Sequence, residues 1–488
     1  MRSANRMIGV IVGGVTALGA SGLFGQEWPQ WRGPNRDAKA SGFTAPQTWP
    51  NQLTQKWKVT VGQGDATPAL VGDKIYVFSR QGDDEITQCL NAASGEQLWQ
   101  NKYAAVSVNG PASQHPGPRG SPAVAEGKVV TFGVGGVLSC LDASDGKVVW
   151  RKESTKDFSP AWPMFYASMS PLIVDGMCVA HLGGQGRGAV VAFDLNTGEP
   201  KWKWEGEGPA YSSPVPITVD GAKQVVELGE RSMVGLALAD GKLLWEVSLQ
   251  GPGGPGGPGG RGAGRAGGGP GGAGGGPGGA GAGPGGPGGP GGGGRGMRGG
   301  GRGMGMGRDY HAATPIVDGQ TIILAGQSIR AFQVQKQDDA FGTKELWTNS
   351  DVSTSFDTPV LGEDKIYGLS GANSLFCLDA KTGKALWTHE LSGGGAAAGG
   401  AGGGGGGGGR GMRGGGGGRG FGSVVDAGSV LFALTPSSGL IVFNASDKQY
   451  AQLADFKVSD TPVYAYPVVA GNRILIKDRD AVTMFTVE

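Results

Sequence analysis

Cysteine and histidine are scarce: four of each occur among 488 residues. Cys89, Cys140, Cys178 and Cys377 include no adjacent pair, no CxxC and no CxxCH. That removes the sequence basis for a vicinal disulfide, a paired-thiolate metal site or covalently attached haem. His115, His181, His311 and His389 include no pair at i, i+2 or i, i+4, so spacing sets no metal site. A Gly-rich phosphate loop and a serine nucleophile elbow are also missing. "GGQGRG" (183–188) has the spacing of neither and reads as a turn. "QGDDE" (81–85) is too short for a calcium loop and reads as a hairpin tip.

Long apolar runs are confined to one place. "MRSANRMIGVIVGGVTALGASGLFG" opens with Arg2 and Arg6, runs apolar from Met7 to Leu23, and carries small residues at Ala20, Ser21 and Gly22. This pattern predicts a secretory signal peptide over 1–25, with a retained N-terminal anchor as the alternative. No cysteine precedes Cys89, which argues against a lipid-bearing cysteine at the cleavage site. The reading is a periplasmic or secreted monomer with no stable membrane insertion after signal removal. Setting aside the eleven arginines of the leader and the glycine tracts leaves 31 basic side chains against 41 acidic ones. An acidic body argues against nucleic acid as a partner.

What the chain does have is repetition. "LDASDGKVVW" (141–150) recurs as "LNAASGEQLW" (90–99), "FDLNTGEPKW" (193–202), "LALADGKLLW" (236–245) and "LDAKTGKALW" (378–387). Upstream of each unit a Ser-Pro or Thr-Pro pair opens a short apolar strand: "TPALV" (67–71), "SPAVA" (121–125), "SPLIV" (170–174), "SPVPI" (213–217), "TPIVD" (314–318) and "TPVLG" (358–362). "GSVVD" (422–426) and "YPVVA" (466–470) fill the same slot in degenerate form. Four short strands per unit, at about forty to fifty residues, is the signature of a propeller blade.

The landmarks count to eight. Fourth-strand tryptophans stand at Trp57, Trp99, Trp150, Trp202, Trp245, Trp347 and Trp387, and "KQYAQLADF" (448–456) supplies an imperfect eighth. Trp57 precedes the first strand-opening pair, whereas the last repeat ends without a fourth strand. The fold class predicted is therefore all-β, an eight-bladed β-propeller over 55–488 whose N-terminal strand closes the last blade. Seven blades is the fallback if 421–456 forms no sheet, and residues 26–54 read as an extension. In each unit the Asp or Asn accepts from turn N–H groups, the Gly takes positive φ, and the Trp buries its face against the next blade. Cys89, Cys140, Ala192 and Cys377 share one small-residue slot, so three cysteines lie in separate blades.

Of the 100 glycines, many fall in two tracts, 251–307 and 393–420. Both lack apolar content to offset chain ordering and are read as disordered insertions, spacers rather than RGG-type nucleic-acid binders. Each joins a fourth strand to the next first strand, as do the insertions 101–120 and 151–169. All such junctions emerge on one face of a propeller, which makes that face the candidate for function. Three residues before each strand-opening Pro, the chain turns toward the axis at Asp65, Arg119, Ser168, Tyr211, Ala312, Phe356, Phe421 and Tyr464, with His115, Tyr166, Tyr310, His311 and Asp357 nearby. These aromatic and charged side chains are the candidate binding mouth; the alternative is that they only fill the channel.

The Leu-Asp-x-x-x-Gly-Lys-x-x-Trp unit resembles the repeat of the pyrroloquinoline quinone (PQQ) propellers, a superfamily of quinoprotein alcohol dehydrogenases and BamB-type outer-membrane assembly factors. "EWPQWRGPNRDAKASG" (27–42) and "AYSSPV" (210–215) are closest to exported PQQ-like propellers. The resemblance implies one of two chemistries. A dehydrogenase would oxidise an alcohol or sugar with PQQ and Ca²⁺, a vicinal disulfide against the quinone, and a carboxylate base such as Asp65, Asp309 or Asp357. A scaffold would need no cofactor and would bind a protein or small ligand. The missing disulfide, and the absence of any stretch matching the dehydrogenases' metal-binding residues, favour the non-catalytic scaffold. A third class is an adhesive surface protein working through its glycine tracts.

Overall fold

The computed structural model describes residues 27–249, 311–391, 422–446 and 448–487. The leader at 1–25, the glycine tracts at 251–307 and 393–420, Tyr310 and Phe421 lie outside the described residues.

Eight four-stranded antiparallel sheets are present among the described residues. Seven are built from consecutive strands, as in the first: Ala69–Val71, Lys74–Gln81, Asp84–Asn91 and Gln97–Ala104. The eighth is composite. Val468–Ala470, Arg473–Lys477 and Ala481–Thr486 are completed by Thr54–Thr60, which pairs antiparallel with Ala481–Thr486. Residues 421–456 hold the seventh sheet, Ser423–Asp426, Val430–Leu434, Gly439–Asn444 and Gln452–Lys457, so the fold has eight blades. The second and third strands are largely buried because neighbouring blades cover both of their faces. Met177–Gly184 is buried at every position, whereas the outer strand Gln97–Ala104 has no buried residue.

In every blade the outermost strand pair carries a register shift at the same slot, for example between Cys89 and Leu90 and between Cys140 and Leu141. The small residue before the shift lies directly across from the tryptophan: Cys89 from Trp99, Cys140 from Trp150, Ala192 from Trp202, Cys377 from Trp387. A bulge of this kind twists the strand locally. The indole then reaches the following blade, where Trp150 Nε1 donates to Leu195 O at 2.9 Å and Trp202 Nε1 to Leu238 O at 2.8 Å. Trp57, Trp99, Trp347 and Trp387 do the same to Ala92, Ala143, Ala380 and Ser446. Trp245 differs: its Nε1 turns to Gln224 Oε1 of its own blade, at 2.7 Å. The following blade has no Leu-Asp-x-x-x-Gly turn to receive it, since its third and fourth strands meet at "QKQDDAFGT" (335–343). All four cysteines are buried free thiols.

The Ser-Pro and Thr-Pro pairs do more than open strands. Each hydroxyl accepts the backbone N–H of the slot residue in the blade before it. Thr67 N–H donates to Ser121 Oγ (3.1 Å), Ser121 N–H to Ser170 Oγ (2.9 Å), Ser170 N–H to Ser213 Oγ (3.0 Å), Ser213 N–H to Thr314 Oγ1 (3.3 Å) and Thr314 N–H to Thr358 Oγ1 (2.8 Å). Blade seven has Gly422 in this slot and no hydroxyl to offer. Tyr466 of blade eight spans the gap: its phenol accepts from Thr358 N–H at 3.2 Å, and its own N–H donates to Thr67 Oγ1 at 2.9 Å. The circuit is thereby closed around the axis.

Residues 27–41, read from sequence as an extension, thread the axis instead and bond to all eight blades. Trp28 pairs with Leu70, Pro29 O accepts from Val124 N–H, Trp31 Nε1 donates to Thr314 Oγ1, Ala38 and Ala40 bond Asp426, and Ser41 O accepts from Gly471 N–H. Arg36 Nη1 donates to Ser170 O and Pro214 O, and Nη2 to Pro171 O. Arg32 Nη1 donates to Thr358 O (2.7 Å) and Tyr466 Oη (3.0 Å), and Nη2 to Pro359 O (2.7 Å). A buried guanidinium without an ion pair is tolerable only when its N–H groups are satisfied, and here main-chain carbonyls do so. Burial still lowers the Arg36 pKa to about 9. Arg32 and Arg36 both sit in the left-handed region, at φ 60° and 59°, strain that persists because the ring holds the strap from every side. Glu27 Oε1 accepts from Gly72 N–H, at the turn between first and second strands. The strap therefore enters from the face opposite the long junction loops.

Candidate functional site

The long junctions 101–120 and 151–169 lie on the face where fourth strands lead into first strands, and they are fastened to each other. Arg119 donates through Nη1 to Phe165 O (2.9 Å) and through Nη2 to His115 O (2.8 Å). Tyr166 Oη accepts from Asn109 N–H and donates to Ser107 O, while its ring stacks on Trp162 at 5.4 Å and 9°. Tyr211 Oη accepts from Phe165 N–H, and Ser168 Oγ donates to Tyr211 O. Three residues singled out as mouth candidates, Arg119, Tyr166 and Tyr211, are thus committed to holding the loops. Sequence spacing placed them near the axis but could not reveal partners in another insertion.

A second group is brought together at the mouth itself. His115 Nδ1 lies 2.8 Å from Asp65 Oδ2, and the imidazole meets the Tyr464 ring edge-on with centroids 4.8 Å apart. Asp65 and Ala66 N–H groups both donate to Pro118 O, which fixes the carboxylate beside the imidazole. Burial, with the Asp65 charge as a smaller contribution, raises the Tyr464 pKa. Lys477 backs this corner. Its ammonium donates to Gly62 O, Gly64 O, Asp478 O and Arg479 O within 2.6–3.2 Å, and burial draws its pKa down to about 8. An imidazole oriented through Nδ1 by a carboxylate presents Nε2 outward, an arrangement suited to hydrogen bonding or proton transfer.

The remaining candidates lie apart from that pair. Phe356 is 42% exposed, and His311 sits at φ 48°. Asp357 is buried beneath the mouth, with Oδ1 lacking a hydrogen-bond partner. Desolvation raises its pKa to about 8, against smaller opposing effects from backbone N–H groups and the Arg32 charge. Sequence reading missed Lys477, Arg32 and Arg36. "WRGPNR" was visible as a family feature, but nothing local indicates that its arginines face inward.

Beside the mouth lies a cavity of about 570 Å³ between the Arg80–Gly82 turn and the 101–120 loop. The wall separating it from the mouth is made by segments 62–66 and 115–118, packed backbone to backbone. A Cβ on Gly117 would stand 2.3 Å from Gln63 O.

A family model described as outer membrane protein assembly factor BamB matches residues 82–256 and 325–403. The chain is 26% identical over 210 residues to outer membrane protein assembly factor BamB of Burkholderia pseudomallei (strain K96243), a match covering 41% of this chain and 47% of that protein. It is 30% identical over 159 residues to the quinohemoprotein alcohol dehydrogenase ADH-IIG of Pseudomonas putida, covering 31% of this chain and 21% of that enzyme. The chain thus spans about half the length of the assembly factor it matches. Among solved structures, BamB from Moraxella catarrhalis superposes with a TM-score of 0.54 at 15% identity, over 89% of this chain and 97% of that one; at that identity the likeness concerns the fold alone. No three His, Cys, Asp or Glu side chains gather to hold a metal among the described residues, and the axial guanidiniums are spent on main-chain carbonyls.

Proposed function

The chain belongs to the family of outer membrane protein assembly factor BamB, and from that premise we propose that it is an exported, non-catalytic propeller that binds a protein partner at its loop-decorated mouth. The observation that carries this reading is the contrast between the two ends of the axis. One end is stoppered by residues 27–41, with Arg32 and Arg36 buried. The other presents the Asp65–His115 pair, Tyr464 and exposed Phe356 within loops that brace one another. Preformed loops with aromatic anchors and few charges favour binding, because little order is lost on association.

Membership of the family supports a scaffold over an enzyme, and the apolar leader together with that membership supports an exported location. The test is site-specific photocrosslinking in the source cell envelope. A crosslinker at Phe356 or Tyr464 should trap a discrete partner, and one at Asp73 on the opposite face should not. Equal trapping from both faces, or none from the mouth, would reject the proposal. In the same preparation, PQQ and Ca²⁺ are added with alcohols or sugars and a redox dye. Turnover there would replace the scaffold reading with a dehydrogenase.

A further inference from the structure

The cavity beside the mouth has its own chemistry. At about 570 Å³ it falls within the range of small-molecule sites, roughly 300–1,000 Å³. Its shape is set by main-chain constraints. Arg80 donates from Nη1 to Val106 O (2.9 Å) and Pro116 O (3.3 Å) and from Nε to Gly82 O (2.9 Å), tying both ends of the roofing loop to the blade-one turn. Gly62 forms part of the floor at φ 104°, where a Cβ would stand 2.5 Å from Arg80 O. A site held this way is organised before any ligand arrives.

Its unspent groups define the ligand. Arg80 Nη2, the Gln63 amide, the Ser107 hydroxyl and Gln81 Oε1 have no hydrogen-bond partner among the described residues. No carboxylate lines the cavity; Glu85, directly across the strand from Arg80, turns its oxygens to Tyr103 Oη and Val134 N–H and leaves Arg80 Nη2 toward the cavity. The Lys477 ammonium stands behind the Gly62 carbonyl, where Asp65, Asp478 and Asp480 offset its charge. Val108 and Pro116 supply a short apolar wall. A guanidinium edge and hydroxyl suit a carboxylate, two amides suit neighbouring hydroxyls, and the apolar wall suits a C–H face.

We propose that this cavity is a binding site for a carboxylated sugar of the hexuronic acid class, separate from the partner-binding mouth. The test uses the folded protein, with D-glucuronate, D-glucose and acetate titrated separately by calorimetry or ligand-observed NMR. Glucuronate should bind saturably, with glucose and acetate each weaker by about tenfold or more, the loss expected when a charge-assisted or paired hydrogen bond is missing. Ser107→Trp, on an exposed loop, should fill the cavity and weaken glucuronate by about tenfold or more; Gln63→Leu should weaken it severalfold. Asp73→Ala, on the opposite face, should leave binding unchanged. Thermal melts confirm that each variant is folded. Lack of saturation below about 50 mM, a concentration that detects even millimolar binding, overturns the site. So does undiminished binding by folded Ser107→Trp, or an equal loss in Asp73→Ala, which would show the losses to be unrelated to the cavity. None of these outcomes bears on crosslinking at Phe356, so the two proposals fail independently.

Discussion

Tyr466 is the residue on which the axial circuit depends. Six other blades bring a Ser or Thr hydroxyl to the preceding slot residue; Tyr466 alone reaches across a blade that has none. Tyr466→Phe keeps the ring but leaves Thr358 N–H without its acceptor and Arg32 Nη1 without one of two. A loss of about 1–3 kcal/mol is expected, read as a lower urea midpoint at unchanged slope. Asp357 gives a second, pH-resolved prediction. Its folded pKa is raised from 3.8 to about 8, so between these values the unfolded chain has released a proton that the fold retains. Its contribution is therefore fully present below about pH 4 and is lost progressively as pH rises toward 8. Asp357→Asn should make stability flatter across that window and higher at neutral pH; an unchanged pH profile would refute the assignment. The Ser-Pro and Thr-Pro pairs were conspicuous in the sequence. Their hydrogen-bonding role was not, because each partner lies a whole blade away.

At the scale of the element, the unit is an indole laid on the next blade's turn glycine. Gly146 has φ 74°, and a Cβ there would stand 2.4 Å from Trp99 Cε3; Gly127 in the same blade has φ 71° and open space around it. The pair separates two costs. Gly127→Ala should lose about 1–2 kcal/mol for the left-handed backbone alone. Gly146→Ala should lose that plus about 1–3 kcal/mol of overpacking, and Trp fluorescence should report the displaced indole. Equal losses would show that the glycine serves conformation only. Strands, turns and blade number were legible because this unit repeats with its hydrophobic period intact. Trp245 was not legible as an exception, since its orientation depends on Gly235 and Gln224, which lie on other strands of its blade, as well as on what the following blade lacks. The insertions were recognisable as junction loops, but their mutual clamps through Arg119, Tyr166 and Tyr211 join residues that no local pattern relates.

For the whole molecule, closure is doubled: Thr54–Thr60 completes the last sheet, and residues 27–41 bond every blade along the axis. Arg36→Met should leave Ser170, Pro171 and Pro214 carbonyls without that donor, at a cost of about 3 kcal/mol or more. Removing residues 27–41 should lower the urea midpoint further and broaden the transition, as blades unfold less cooperatively. A truncated protein that melts like the intact one would show the strap to be dispensable. The N-terminal strand's part in the ring could be read from the order of landmarks. The strap could not, because "WPQWRGPNR" has neither strand alternation nor a repeat to align it, and its contacts exist only once the circle has formed.

That circle also sets an order of events. The strand Thr54–Thr60 is made more than four hundred residues before its partner Ala481–Thr486. At about 5–20 residues per second, synthesis leaves the early edge waiting on the order of a minute. Through that interval a nascent chain carries an unpaired strand and several completed blades, the combination most prone to pairing with a neighbour. Holding factors that shield the early segment would therefore matter more to the yield of this protein than any catalyst of its later steps.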